Sequence, residues 1–298
     1  MLLRFVLHLM FVDLNGLRSD ADWLVGESVA RSTSRSYQRV MQKLEGFCQQ
    51  HHIKDKFSAA TIELFVTKAR NDGLGLGAIR SMLSAIRHHC KSVNITASFD
   101  TPRLSLILRG IKRTAMSVPR RNRPVSLSIL NRLCQAAPIC FGKKVGRTVS
   151  AMFSLCFFAL LRPSEAARSP ASPQHQLLSK HVRLSANRIS VKFYSFKHSV
   201  GPVKITVLPH FNKIICPVQN LLCHLPVPRK KPLFDFTAAD FRFVLTKCLR
   251  HCGIKRHITP HSFRSGGATF YSANGMTDAT LKAKGRWRSD AYLSYVRS

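Results

Sequence analysis

Apolar positions recur at helical spacing through the first third of the chain. Tyr37, Val40, Met41, Leu44, Phe47 and Cys48 follow the i, i+3, i+4, i+7 pattern of one buried face, and Ser32, Thr33 and Ser34 offer a cap at its start. The same pattern predicts a second helix from Ala60 to Ala69, a third through Ile79, Met82, Leu83 and Ile86, and a fourth from Leu104 to Ile111. Gly73, Gly75 and Gly77 separate the second from the third. No strand precedes them, so they are not a dinucleotide fingerprint. Four short helices predict a small bundle. Helical periodicity resumes after Ser126 with Ile129, Leu130 and Leu133, and Met152 to Leu161 reads as a buried core helix ending at Arg162-Pro163-Ser164-Glu165. The period then drops to two. Ile189, Val191 and Phe193 alternate with polar residues, as do Val203, Ile205 and Val207, and two such runs flanking residues 195–202 predict an antiparallel hairpin. Helices return from Ala238 to the end. The fold expected is mainly α with a small antiparallel β-sheet: a helical domain over 31–115, a basic linker over 116–125 and an α+β domain over 126–298.

The first 30 residues form an uncertain N-terminal segment. Met1–Leu14 is apolar, but it is too short to span a bilayer, carries Arg4 and His8, and is followed by no small-residue cleavage site. It reads as a helix or as an uncertain gene start. No other stretch approaches the length of a membrane span, so a membrane is not an expected partner.

Charge narrows the function. The 298 residues hold 47 Lys and Arg against 14 Asp and Glu, a formal charge of +33. A composition 45% hydrophobic excludes a disordered basic tail. A folded chain this basic repels itself unless a polyanion neutralises it. Residues 1–100 carry 13 basic and 9 acidic side chains, residues 101–298 carry 34 and 5, so the polyanion contact falls on the last two thirds. The run from 109 to 123 sets Arg109, Lys112, Arg113, Arg120, Arg121 and Arg123 around Pro119 with no acid, and reads as a connector lying along phosphates. The five later carboxylates, Glu165, Asp235, Asp240, Asp278 and Asp290, are scattered. Two-metal phosphodiester chemistry needs several converging ones, so cleavage of nucleic acid here is expected to proceed without a metal. Nine cysteines form no Cys-x-x-Cys pair, and Cys248, His251 and Cys252 have no second ligand pair at zinc-finger spacing. Unpaired, mostly buried thiols and no cofactor are expected.

The sharpest local signal is Thr259-Pro260-His261-Ser262-Phe263-Arg264. Thr suits an N-cap and Pro the first helical position, so His261 and Arg264 share a face near a positive helix end, a good place for a phosphate. Gly266 and Gly267 behind them suggest close packing of that helix. The chain then ends in Gly285-Arg286-Trp287-Arg288-Ser289-Asp290-Ala291-Tyr292-Leu293-Ser294-Tyr295-Val296-Arg297.

With Arg162, Lys197, His261, Arg264, Trp287 and Tyr295 in this order, the sequence resembles the tyrosine recombinases of the phage integrase family, in particular the integrase-like enzymes of eukaryotic mobile elements. Their signature runs Arg, Lys, His-x-x-Arg, His or Trp, then Tyr, and the resemblance covers roughly residues 30–297. It implies a helical SAM-like DNA-clamping domain ahead of the catalytic domain, double-stranded DNA as partner, a homo-tetramer on DNA, and DNA recombination or integration through a 3′-phosphotyrosine. It further implies that Tyr295 is the nucleophile, that Arg162 and Arg264 hold the non-bridging oxygens, and that Lys197 protonates the 5′ leaving oxygen. His261 then assists proton transfer and Trp287 donates its indole N–H. With the reduced thiols, the eukaryotic flavour of the motifs implies a nuclear location. Lys192 and Lys204 compete with Lys197, which is preferred for its place at the turn. Tyr292 competes with Tyr295, which better fits the Tyr-x-Arg ending. A DNA-binding module derived from a mobile element but lacking strand transfer, and an enzyme like the type IB topoisomerases, are the alternatives. An RNA-binding structural protein would explain the charge and none of the ordered residues.

Overall fold

The computed structural model of the chain describes residues 14–96, 101–114, 123–169, 172–196, 199, 201–224, 228 and 230–296. It divides into two compact units, Met1–Val118 and Pro119–Ser298.

In the first unit α1 (Leu14–Glu27) is exposed along its length. Helices α2 (Arg31–Gln50), α3 (Ala59–Asn71), α4 (Leu76–Ser92) and α5 (Pro102–Thr114) enclose a core that includes Leu44, Phe47, Ile62, Val66, Ile79, Leu83 and Ile86. Leu44, Phe47, Ile79, Leu83 and Ile86 are positions the periodicity marks, and Ile62 and Val66 fall within the second expected helix. The start of α2 differs from expectation. The helix begins at Arg31 with Ala30 in the cap position, so Ser32, Thr33 and Ser34 lie in its first turn and cap nothing. The basic run is also not one connector: Arg109, Lys112 and Arg113 are exposed on α5, because Leu104 and Ile111 bury the opposite face and carry the helix through to Thr114. Arg120 and Arg121 lie outside the described residues. Arg123 lies outside any helix or strand, and its N–H donates to the carbonyl of His257 within the second unit.

The second unit is built on α6 (Leu127–Phe158), broken at Gly142, whose φ of 75° only glycine adopts freely. Its C-terminal half is buried on all sides, as an unbroken apolar run demands. The short α7 (Pro163–Ala166) follows, then strands β1 (Val182–Ser185), β2 (Arg188–Phe193) and β3 (Val203–Val207) in an antiparallel sheet of order β1-β2-β3. Ile189 pairs with Val207 and Val191 with Ile205, so the alternating apolar residues fall on one buried face. The hairpin is the expected one. Strand β1 is an addition. So is α8 (Pro217–His224), which precedes α9 (Ala238–His251), α10 (Pro260–Ala273) and α11 (Asp278–Gly285). The end of the chain is not a regular α-helix: Asp290–Ser294 is a 3-10 turn, with Ser289 accepting from the Ala291 N–H. All nine cysteines are unpaired and six are buried. No described helix is long and apolar enough to cross a membrane.

Candidate functional site

Packing sets the site before any charge is considered. Phe263 of α10 stacks on Phe153 of α6 with ring centroids 4.9 Å apart, which fixes the rotation of α10 about its axis. A Cβ on Gly266 would stand 2.0 Å from the Val125 carbonyl oxygen, and one on Gly267 2.1 Å from that of Phe157. The pair lets α10 lie against backbone, and Arg264 is thereby carried into the interior. Thr259 and Pro260 open the helix as expected, but the capping bond is reversed. The Thr259 N–H donates to the Ser262 hydroxyl at 3.1 Å, while the Thr259 hydroxyl has no partner.

Arg264 is wholly buried. Its guanidinium donates to the carbonyls of Leu160 and Gly285, and two of five donors are thus assigned. The Trp287 ring lies 4.1 Å from its Cζ and the Tyr295 ring 5.4 Å, and the two rings are 5.2 Å apart. Arg162 enters from the other side, at the start of α7. Its backbone N–H donates to Glu165 Oε2 at 2.8 Å and its guanidinium to Oε1 at 3.1 Å, leaving the side chain 15% exposed at the rim. It does not cap α6, which closes at Ala159.

A third guanidinium completes the cluster. Arg286, in the left-handed conformation at φ 57°, turns its side chain inward to donate to Glu165 Oε2 at 2.8 Å and to the Leu160 carbonyl at 2.9 Å. Its Cζ sits 3.9 Å above the Phe193 ring of β2, and its own carbonyl accepts from Arg162 at 3.4 Å. Leu160 is itself left-handed at φ 49°, a conformation that costs a branched residue energy and here presents one carbonyl to two arginines.

Three guanidiniums around one carboxylate leave an excess of two positive charges in a largely buried site. Burial raises the Glu165 carboxyl, but Arg286, Arg162 and Arg264 together outweigh it and hold the group below its usual range. Burial, then Arg286 and Arg162, lowers Arg264 to about 9, so it stays charged at neutral pH. His261 stands at the exposed edge of α10. Desolvation on its protein side, then Arg264 and Arg162, holds it below the ordinary histidine value, so it is neutral at pH 7. Such a site attracts an anion, and an anion with several oxygens can meet the unassigned guanidinium donors.

Of the residues singled out in the sequence, Arg162, Arg264, Trp287 and Tyr295 join one contact network, with His261 at its edge. Lys197 lies outside the described residues. Lys192 and Lys204 project from the sheet face opposite the one Phe193 presents to Arg286. The two tyrosines separate cleanly. Tyr292 is 4% exposed, and the Asp278 carboxylate together with burial raises its phenol to about 12, whereas Tyr295 stands half-buried beside Arg264 and Trp287. Sequence reasoning missed Arg286 and Lys284. Lys284 donates to the Thr206 carbonyl at 2.8 Å and is lowered to about 8 by burial and by Arg286. Glu165 carried a signal, as the one glutamate after residue 100.

Scanned against family models and characterised proteins, the sequence matches none. Solved structures match its fold. The Tn1549 transposon integrase (aa 82–397), solved in complex with circular intermediate DNA, superposes with a TM-score of 0.60 at 17% identity, covering 93% of this chain and 95% of that one. A lambda integrase dimer bound to a COC′ core site gives 0.59 at 14% identity, covering 95% and 77%. XerH site-specific recombinase bound to difH substrate, a pre-cleavage complex, gives 0.56 at 13%, covering 82% and 68%. The chain has the fold of the tyrosine recombinases.

Proposed function

We propose that the protein is a DNA strand transferase that breaks and rejoins duplex DNA through a phosphotyrosine. The observation that carries this reading is the convergence of Arg162, Arg264, Trp287 and Tyr295 on one buried site with an excess of two positive charges. The Tyr295 phenol oxygen attacks a backbone phosphorus, the bond from phosphorus to the 5′ oxygen breaks, and the 3′ phosphate remains on the tyrosine. The neutral His261 accepts the phenolic proton, and Lys197 returns one to the departing 5′ oxygen. In between, the pentacoordinate phosphorus carries two negative charges. The surplus on the arginines matches that number, so the site binds the transition state better than the singly charged diester. The Arg forks fix the direction of the non-bridging oxygens as a lysine point charge does not. The structures that share the fold at about 0.60 include DNA complexes, which supports duplex DNA as substrate.

A nicked suicide substrate, in which the released 5′ strand diffuses away, traps the intermediate. Wild-type protein in EDTA is expected to yield a covalent protein–DNA adduct, Tyr292→Phe to retain it and Tyr295→Phe to lose it. Salt-sensitive DNA binding with no adduct from any form across a randomised DNA pool would overturn strand transfer in favour of a DNA-binding module.

A further inference from the structure

The sheet of the second unit has a second, differently built concentration of charge. With Ser185 opposite Arg188, Arg183 opposite Ser190 and Lys192 opposite Lys204, the register puts four cations on the outer face, with only Ser185, Ser190 and Thr206 between them. The outer face has no acid and no apolar side chain. Lys180 and His181, from the 3-10 turn before β1, and Tyr194, just past β2, wall one side of it and leave a cavity of about 280 Å³ over Arg183, Lys192 and Lys204. Tyr194 stands 56% exposed, with Lys192 Nζ 4.8 Å from its ring centre and His181 at 5.1 Å. None of Lys180, Arg183, Lys192 and Lys204 has a carboxylate partner among the described residues.

Folding does not account for this arrangement. Like charges directly opposite across an antiparallel pair are destabilising, and here Lys192 faces Lys204 in register. A site for one sign of charge is the reading that uses the repulsion, because an anion between the two ammonium groups removes it. The concavity, the lack of any acid and the exposed aromatic fit oxygens of a phosphate backbone, which cationic stems follow without reading bases. The outer face also differs in direction from the site above. Phe193 turns inward beneath Arg286, and its neighbour Lys192 turns outward.

We propose that the outer face of this sheet is a second phosphate-binding surface, which holds backbone phosphates of duplex DNA other than the one at the Arg264 site. This deepens the strand-transfer reading and rests on it for the identity of the polyanion. The surface adds affinity and salt dependence and takes no part in bond breaking.

The test compares Lys192→Ala/Lys204→Ala with a charge-matched control, Lys143→Ala/Lys144→Ala, whose lysines are exposed beside Gly142. Binding to a 30-base-pair duplex is followed by fluorescence anisotropy from 50 to 200 mM NaCl. Two lost phosphate contacts lower the slope of log affinity against log salt by about 1.8, so wild type loses about tenfold more affinity over that range than the sheet variant. The control keeps the wild-type slope. The melting temperature of the sheet variant is expected to be unchanged or raised, since a repulsive pair is gone. An unchanged slope in the sheet variant, or an equal change in the control, overturns the proposal. Calorimetry with sodium tripolyphosphate distinguishes the source. If wild type binds it, the sheet variant does not, and neither binds DNA, the pocket serves a free polyphosphate, and both this proposal and the strand-transfer reading fall. If DNA binding and its slope behave as expected but no adduct forms, the phosphate surface stands and strand transfer falls.

Discussion

Lys192 and Phe193 are neighbours in β2, yet they face two clusters of positive charge that obey different rules. On the inner side, three guanidiniums gather around Glu165, and each is held by carbonyls or by a carboxylate at a fixed distance. On the outer side, the cations stand on long side chains with no carboxylate partner among the described residues. The difference follows from solvation. A buried charge must be paired and hydrogen-bonded, so its position is determined, and a determined position can meet one atom of a ligand in one geometry. A solvated charge needs no partner, so it adds to affinity without specifying where a ligand atom sits. Substitutions inside should therefore act on rate and stability, those outside on salt dependence.

The largest expected effect breaks the inner geometry while keeping its charge. Arg264→Lys preserves a cation but loses the fork, and adduct formation on the suicide substrate should fall about 100- to 1000-fold, the range for removing one oxyanion donor. A fall of less than about tenfold would mean that charge alone suffices, and the two clusters would then differ in burial only.

Glu165→Gln removes the buried carboxylate that pairs with Arg286 and should cost about 3–5 kcal/mol in urea denaturation at pH 7. The sign of its pH dependence is fixed. The folded-state pKa of Glu165 lies below the unfolded value, so its stabilisation is present above about 4.5 and is lost as pH falls through the folded pKa. The gap between wild type and variant should narrow in acid below pH 4.5. A gap that is constant with pH would assign the loss to packing. Gly267→Ala is expected to cost less, about 1–3 kcal/mol, because its Cβ meets the Phe157 backbone and α10 must shift.

How much of this the sequence makes legible depends on the range of the cause. The bundle helices α2 to α5 are legible because each buries one face and repeats it locally, and the hairpin because its period of two is bounded by polar turns. Strand β1 has only Val182 and Leu184 as inward residues, too few to separate from a loop, and α8 has two turns. The 3-10 turn at Asp290–Ser294 is capped by the Ser289 hydroxyl, a local bond that no periodicity reports. Arg162, Arg264, Trp287 and Tyr295 are legible by order and residue type. Arg286 is not, because an arginine two residues from a lysine reads as surface. Its burial is set by Glu165, 121 positions earlier, and by the ring of Phe193. The outer cluster is hidden for a related reason, since only the register shows that Lys192 and Lys204 are opposite.

The smallest effect sharpens the comparison most, because it has the opposite sign from those inside. Lys192→Thr replaces one member of a directly opposed like-charged pair with a residue that favours strands, and the cross-strand scale gives a gain of roughly 0.2–1 kcal/mol. The gain is electrostatic, so it should shrink in 0.5 M NaCl, where the screening length is a few ångströms. It should also shrink when saturating duplex DNA is present, because phosphates that already neutralise the pair in wild type stabilise the folded state by mass action and do so less in the variant. Thermal melts of both proteins, with and without DNA at low salt, read the two effects together. A variant that is stabilised equally with and without DNA would show that the repulsion is never relieved by a ligand. The outer face would then be a cost of solubility rather than a surface for phosphate.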